Sequence, residues 1–263
     1  MDVGMKKITV YLSVLVLFFA LAAEVAAASK KLTVGVAIDK AGRQRMLTQR
    51  MMKAYALSGQ KLKMDARTEL VKSAELFDSQ LVELKAFAKD GEEKTQLDKI
   101  TLLWGELKGD LYAKPALAKA GELNDLADLL LQESHRFVGM LEARSGTAAG
   151  KLVNVSGRQR MLSQRIAKIY LLETWGLEAT QLQEQYRQSN KDFSEALTFL
   201  MDSKKNTTEI DEALVKVSKN WRIFGISDYS AKHNVRVPSL VVRSMDKILV
   251  QMNEVTGMYA RLK

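Results

Sequence analysis

Apolar residues recur along most of the chain at the three- and four-residue spacing of amphipathic helices, and the alternating pattern of strands is absent. Only two prolines occur, Pro115 and Pro238, and each suits the first turn of a helix that follows a break in the pattern. The fold class is therefore predicted to be all-α. The breaks and caps predict helices at about 32–58, 61–89, 92–112, 116–144, 151–175, 178–201, 207–224 and 236–262.

The second half of this pattern repeats the first. A shift of 115 residues superimposes Gly42–Leu57 on Gly157–Leu172 with 11 identities in 16 positions. The predicted helices divide into four per repeat, which indicates two tandem four-helix bundles of up-down-up-down topology. We place a first module over residues 29–145 and a second over 151–263, joined by the run of small residues at 145–150.

The N-terminal segment has the features of a targeting signal. Lys6 and Lys7 precede an apolar run of 14 residues, and Ala26-Ala27-Ala28 offers a small-x-small cleavage pattern. We predict a signal peptide over residues 1–28 and export to the periplasm; an uncleaved membrane anchor is the alternative. No other stretch is apolar enough to span a bilayer, so the cleaved chain is not expected to be a transmembrane protein.

The composition limits the kinds of site that the chain can form. Cysteine is absent, which excludes disulfides and thiolate sites. The net charge of +9 and a pI near 9.5 raise the question of nucleic acid, but the basic residues are scattered and the chain is expected to be exported. Small anions or an anionic membrane surface are the better match. His135 and His233 have no partner at the spacing of a metal pair, so we predict no metal, no cofactor and no catalytic residues.

One arginine in each repeat lies on a helix stripe of small residues. At roughly 100° per residue, Arg45 shares a face with residues that include Gly42, Thr48 and Gln49, whereas Arg43 and Arg50 point to the opposite side. The second repeat has the same layout. The candidate ligand-binding residues are therefore Arg45, Arg160, Gly42, Gly157, Thr48, Ser163, Gln49 and Gln164.

A charge on such a stripe needs a partner, because burying it unpaired is costly. One possible partner is a carboxylate from a neighbouring helix. The other is a bound oxyanion, which the forked donors of a guanidinium suit and which two equivalent arginines could share. An anion can bridge them only if the two bundles lie side by side.

The link between the modules decides that arrangement. A sharp reversal at residues 145–150 would start the fifth helix beside the first and make the chain an intramolecular pseudo-dimer, which we expect. The alternative is one continuous helix from about 116 to 175, because each glycine costs a helix only about 1 kcal/mol. That helix would stack the bundles end to end, and a paired site would then require a homodimer.

The segments Ala41–Arg50 and Ser156–Arg165 resemble the signature of the PilJ-type, NarX-like N-terminal sensor domain of type IV pilus chemotaxis transducers and nitrate- or nitrite-sensing kinases. The resemblance implies a four-helix bundle with this segment on its first helix. In the nitrate sensors, one arginine from each subunit grips a single nitrate, and the matching positions here are Arg45 and Arg160. It therefore implies a sensor of a small anion that signals through a separate membrane-bound sensor or transducer. The alternative is a structural or interaction protein whose arginines form internal salt bridges.

Overall fold

The computed structural model describes residues 32–62, 65–178, 180–231 and 237–262, with side chains left out at 226–231. The predicted signal peptide lies outside these residues. From Val34 onward the chain forms one compact unit. Helices make up 87% of the structure, and the described residues contain no strand, as the periodicity predicted. The helices are α1 (Val34–Gly59), α2 (Ala66–Phe87), α3 (Glu92–Tyr112), α4 (Leu117–Ser145), α5 (Ala148–Trp175), α6 (Thr180–Met201), α7 (Thr208–Ala231) and α8 (Pro238–Tyr259).

Helices α1–α4 form one bundle and α5–α8 the other. In each, the first helix packs against the second and the fourth, and the third packs against the fourth. The most extensive contact of all joins α1 to α5. The two bundles therefore lie side by side, which confirms the predicted pseudo-dimer.

The reversal between the bundles is shorter than the run of small residues suggested. Helix α4 ends at Ser145, and Gly146 adopts a left-handed conformation with φ of 60° that glycine tolerates without strain. Thr147 then caps α5, because its hydroxyl accepts a hydrogen bond from the backbone N–H of Gly150. Only Gly146 and Thr147 separate the two helices, in place of the predicted break at 145–150, and α5 begins at Ala148.

Equivalent contacts hold the two bundles in shape. Phe77 packs on Trp104 with ring centroids 4.5 Å apart, and the corresponding aromatic pair of the second bundle is 4.1 Å apart. The Tyr55 hydroxyl accepts the N–H of Ala116 just before α4, and the equivalent tyrosine does the same just before α8. The core is thus built twice from the same parts. None of the described helices is long and apolar enough to cross a membrane.

Candidate functional site

Arg45 and Arg160 meet where α1 crosses α5, and both side chains are fully buried. Gly42 and Gly157 make the crossing close. A Cβ on Gly42 would stand 4.0 Å from the Cα of Gly157, 3.3 Å from Arg45 Nη2 and 3.5 Å from Arg160 Nη2. A Cβ on Gly157 would meet the same three kinds of atom at nearly the same distances. Four of the eight residues that the helical projection selected, the two arginines and the two glycines, therefore form one cluster across the bundle interface.

Each arginine reaches across to the other bundle. Arg45 Nη2 donates to the carbonyl of Asn154 at 3.2 Å, and Arg160 Nη2 donates to the carbonyl of Asp39 at 3.1 Å. Asp39 and Asn154 occupy equivalent places, six residues before the arginine of their own helix. These two hydrogen bonds are related by the pseudo-twofold symmetry of the chain and tie the two first helices together.

The side-chain partners break that symmetry. Arg160 Nη1 bonds to Asn253 Oδ1 at 2.9 Å and lies 2.8 Å from Asp39 Oδ1, an ion pair whose atoms are not aligned for a hydrogen bond. Arg45 Nη1 instead lies 2.9 Å from Nδ1 of His135. Because the second repeat has Asn154 where the first has Asp39, Arg45 touches no carboxylate among the described residues. One arginine is neutralised and the other is not.

The proton affinities follow from these surroundings. Burial, and then the nearby Arg160, lower the pKa of Arg45 to about 9, so its guanidinium remains charged at neutral pH. Burial also lowers the pKa of Arg160, but Asp39 opposes that shift. Partial burial, followed by Arg45 and Arg158, lowers the pKa of His135, while Glu142 opposes it. A neutral His135 with its proton on Nε2 accepts the Arg45 hydrogen bond at Nδ1.

The hydroxyls and amides of the motif do not converge on the guanidinium groups. Thr48 Oγ1 donates to the carbonyl of Arg45, and Ser163 makes the equivalent bond in α5, each at 2.8 Å. Gln49 donates to Asp128 on α4 at 3.1 Å, and Gln164 donates at the same distance to the equivalent aspartate of α8. These four candidates therefore lie beside the arginines, where they form hydrogen bonds within their own helix or to a neighbouring helix.

Two buried lysines escaped the sequence analysis. Lys53 and Lys168 are identical in the repeat and fully buried. Lys168 Nζ lies 2.9 Å from Asp128 in the first bundle, and Lys53 Nζ lies 2.5 Å from Asp246 in the second. Each lysine thus pairs with an acid of the opposite bundle. The recurrence of both lysines and both aspartates at similar shifts was the signal that could have identified them.

Three of the four other motif arginines pair with acids of their own bundle. Arg50 pairs with Glu69 of its own bundle at 2.9 Å, and Arg158 pairs with an acid of its own bundle on α6. Arg43 pairs with Asp39 on its own helix at 3.1 Å. Arg165 instead lies 3.6 Å from Asp128 of the first bundle.

A cavity of about 570 Å³ lies at the α4–α5 turn, beside the partners of Arg45. His135 and Asn154, which hold the two Nη atoms of Arg45, both line it. Glu142 and Lys151 supply its charged side chains. We call this space the α4–α5 cavity. Sequence reasoning missed this cavity, and it found only that His135 has no metal-pair partner, although this histidine covers the buried arginine. No cluster of metal-ligating side chains occurs in the described parts of the chain.

Comparison with known proteins gives one match. The family model described as the type IV pili methyl-accepting chemotaxis transducer N-terminal domain, PilJ, matches residues 26–130 and 143–224. The two matched stretches contain Arg45 and Arg160 respectively, so the internal repeat is a repeat of this domain. No curated protein and no solved structure matches the chain.

Proposed function

We propose that this chain, which belongs to the family of type IV pili methyl-accepting chemotaxis transducer N-terminal domains, senses a small oxyanion such as nitrate or nitrite at Arg45 and Arg160. The family makes it a signalling sensor module, and PilJ sensor domains are non-catalytic. In this proposal the chain is exported by its signal peptide and works in the periplasm. It passes its ligand state to a separate membrane-bound sensor or transducer.

The incomplete neutralisation of Arg45 carries the anion proposal. Its guanidinium is fully buried, its Nη atoms contact only a neutral imidazole and a backbone carbonyl, and its Nε is buried with no hydrogen-bond partner among the described residues. Arg160 Nε is in the same condition. Buried charges are normally paired. An oxyanion would provide the missing negative charge and accept the unused N–H groups.

The energetics of the pair favour a shared anion. Two cations about 7 Å apart repel each other by roughly 2–3 kcal/mol at an effective dielectric constant of 20. An anion about 4 Å from each gains about 4 kcal/mol per contact on the same scale, before the free energy of dehydration is subtracted. The Coulomb attraction therefore exceeds the repulsion between the two guanidinium groups, and this part of the free energy favours a shared anion.

A ligand at this position can act on the contact between the bundles. Arg45 and Arg160 each donate across the interface to the other bundle, and the α1–α5 crossing is the largest helix contact. An anion that draws the guanidinium groups away from the carbonyls of Asn154 and Asp39 changes how α1 and α5 are held. Binding free energy can therefore shift the relative position of the bundles, which a partner protein would detect.

A structural role is the second candidate, and one observation favours it. Arg160 already has a carboxylate partner, Asp39, at 2.8 Å, and the Nη2 atom of each arginine already donates to a carbonyl. In this alternative the motif pins the two bundles together and the chain presents a fixed surface to another protein. No small ligand takes part.

A thermal-shift screen separates the two candidates. Nitrate, nitrite, sulfate, phosphate and small carboxylates are compared with chloride at equal ionic strength, and the sensor proposal expects at least one selective stabiliser. Arg45→Met and Arg160→Met should each remove that stabilisation. Arg50→Ala, which deletes a motif arginine that pairs with Glu69 of its own bundle, is the matched control and should retain it. If no anion exceeds chloride, the anion proposal is wrong and the two arginines have a structural role at the crossing.

Export is tested separately. The chain recovered from a periplasmic extract is expected to begin near Ser29, which mass spectrometry of the intact protein would determine. An intact N terminus in the membrane fraction would instead identify residues 1–28 as an anchor.

A further inference from the structure

The α4–α5 cavity contains one acid and one base that the fold does not neutralise. Glu142 accepts a hydrogen bond from the Asn154 amide, and Lys151 Nζ lies 5.3 Å from the centre of the Phe199 ring. Neither of the two charged groups forms an ion pair within the described part of the chain. Two opposite charges without an ion-pair partner among the described residues therefore line one concave space.

We propose that the α4–α5 cavity is a second ligand site, beyond the arginine pair, and that it binds a small zwitterion such as an α-amino acid. The carboxylate of the ligand pairs with Lys151 and the ammonium group pairs with Glu142. A cavity of about 570 Å³ is within the ordinary size range of small-molecule sites, and it is far larger than an inorganic oxyanion needs.

Two acceptors for an ammonium group line the cavity. Asn154 Oδ1 is buried and has no hydrogen-bond partner among the described residues, while Asn154 Nδ2 is bonded to Glu142. The amide oxygen and the carboxylate are therefore adjacent acceptors. An ammonium group carries three donors and no acceptor, so it would satisfy both acceptors at once.

Positively charged groups for a carboxylate also line the cavity. Thr147 and Ala148 line the cavity at the start of α5, a helix of 28 residues. The N-terminus of such a helix carries partial positive charge and favours an anionic group. Lys151, one turn later on the same helix, adds a full positive charge. The ammonium group and the carboxylate of a zwitterion therefore each have a partner of opposite charge in the cavity.

The repeat shows that these features are not part of the common scaffold. The positions equivalent to Glu142 and Lys151 in the other copy are Ala260 and Val36, so both charges are missing there. The wall residue Ala143 corresponds to Arg261, whose Nη1 lies 3.6 Å from the place that a Cβ on Gly257 would take. A bulky side chain thus covers in the second copy what is an open cavity in the first. The two copies therefore differ at the positions that the proposed ligand would contact.

Two residues that line the cavity also form the hydrogen bonds of Arg45. His135 lines it and takes the Nη1 bond of Arg45, and Asn154 lines it while its carbonyl takes the Nη2 bond. A zwitterion that repositions either residue alters the hydrogen bonds of the buried guanidinium. Binding at the two sites is therefore coupled, and the coupling is the same whichever ligand binds first.

Isothermal titration calorimetry on the intact chain tests the proposal, with glycine, alanine and serine as probes and with acetate and methylammonium as single-charge controls. At least one amino acid should bind, and neither control should match it. Glu142→Gln should weaken binding tenfold or more, whereas the same exchange at exposed Glu122 of α4 should change nothing. Ala143→Leu should block the cavity, and Arg261→Leu at the equivalent position of the second copy should not.

The outcomes separate this proposal from the anion proposal. In Arg45→Met the response to nitrate should disappear while amino-acid binding persists. Equal binding of amino acids and acetate, or undiminished binding in Glu142→Gln, would overturn the zwitterion site. Loss of amino-acid binding in Arg45→Met together with no effect of Glu142→Gln would place the ligand at the arginines instead. A chain that ignores nitrate but binds amino acids through Glu142 would refute only the anion proposal.

Discussion

Replacing Arg160 by Met should destabilise the ligand-free protein much more than replacing Arg45 by Met. The two arginines occupy equivalent positions on α5 and α1, and both are fully buried, so the exchange removes the same group from the same kind of place. The groups left behind differ. Arg160→Met leaves the carboxylate of Asp39, whose side chain is only 14% exposed. Arg45→Met leaves the imidazole of His135 and a backbone carbonyl, both of which are neutral.

The magnitudes follow from these contacts. Removing one partner of a buried ion pair typically costs about 3–5 kcal/mol. Asp39 retains Arg43 at 3.1 Å, which reduces the expected loss to roughly 2–3 kcal/mol. For Arg45, a pKa lowered from 12.5 to about 9 means that burial of the charged form opposes folding by several kcal/mol. Removing that charge offsets the loss of two hydrogen bonds, so the free energy of unfolding should stay within about 1 kcal/mol of the parent value.

Urea denaturation in chloride buffer, followed by far-ultraviolet circular dichroism, measures both effects. The midpoint and slope give the free energy of unfolding of each variant. A loss in Arg45→Met as large as that in Arg160→Met would refute the reasoning, because it would show that Arg45 is neutralised in the ligand-free protein. Repeating the series with a stabilising anion should then leave both variants unchanged and raise only the parent.

Three further predictions follow from the site. Because the pKa of His135 is lowered, the native state loses stability as the pH falls below about 6.5. In thermal melts, His135→Asn should therefore lose less stability than the parent protein between about pH 7 and 5. Equal losses would contradict this. Gly42→Ala should weaken stabilisation by the anion, because the new Cβ would stand 3.3 Å from the Arg45 guanidinium. Gly105 has open space around it, so Gly105→Ala should raise the free energy of unfolding by about 0.5–1 kcal/mol without affecting the ligand. Lys168→Met should lower the free energy of unfolding in urea by roughly 3 kcal/mol by leaving Asp128 without its closest cation, and a change below about 1 kcal/mol would show that this cross-bundle pair does not stabilise the fold.

Helix periodicity and the repeat were sufficient to predict the fold. Both are local or pairwise properties of the sequence, and the eight described helices begin and end within a few residues of the predicted bounds, apart from α7, which continues to Ala231. The burial of Arg45 and Arg160 could be predicted for the same reason. A helical projection depends only on the spacing between residues on one helix.

The partners of these arginines could not be predicted in the same way. His135 is 90 residues from Arg45 in the chain, and Asn253 is 93 residues from Arg160. Contacts of this kind depend on how α4 and α8 rotate about their axes when they pack. Lys53 and Lys168 were missed for a related reason: a lysine is normally exposed, and the acids that pair with these two lie on other helices.

The difference between Asp39 and Asn154 depends on both bundles belonging to one polypeptide. In an assembly of two identical subunits, a single codon change alters both sides of the twofold axis, so a substitution that suits one half is imposed on the other. Here each half is encoded separately. One half can keep an acid that pairs with an arginine while the other half lacks it. The two halves are always present in a one-to-one ratio, whatever the protein concentration. Duplication within the gene has thus freed each half of the interface to specialise.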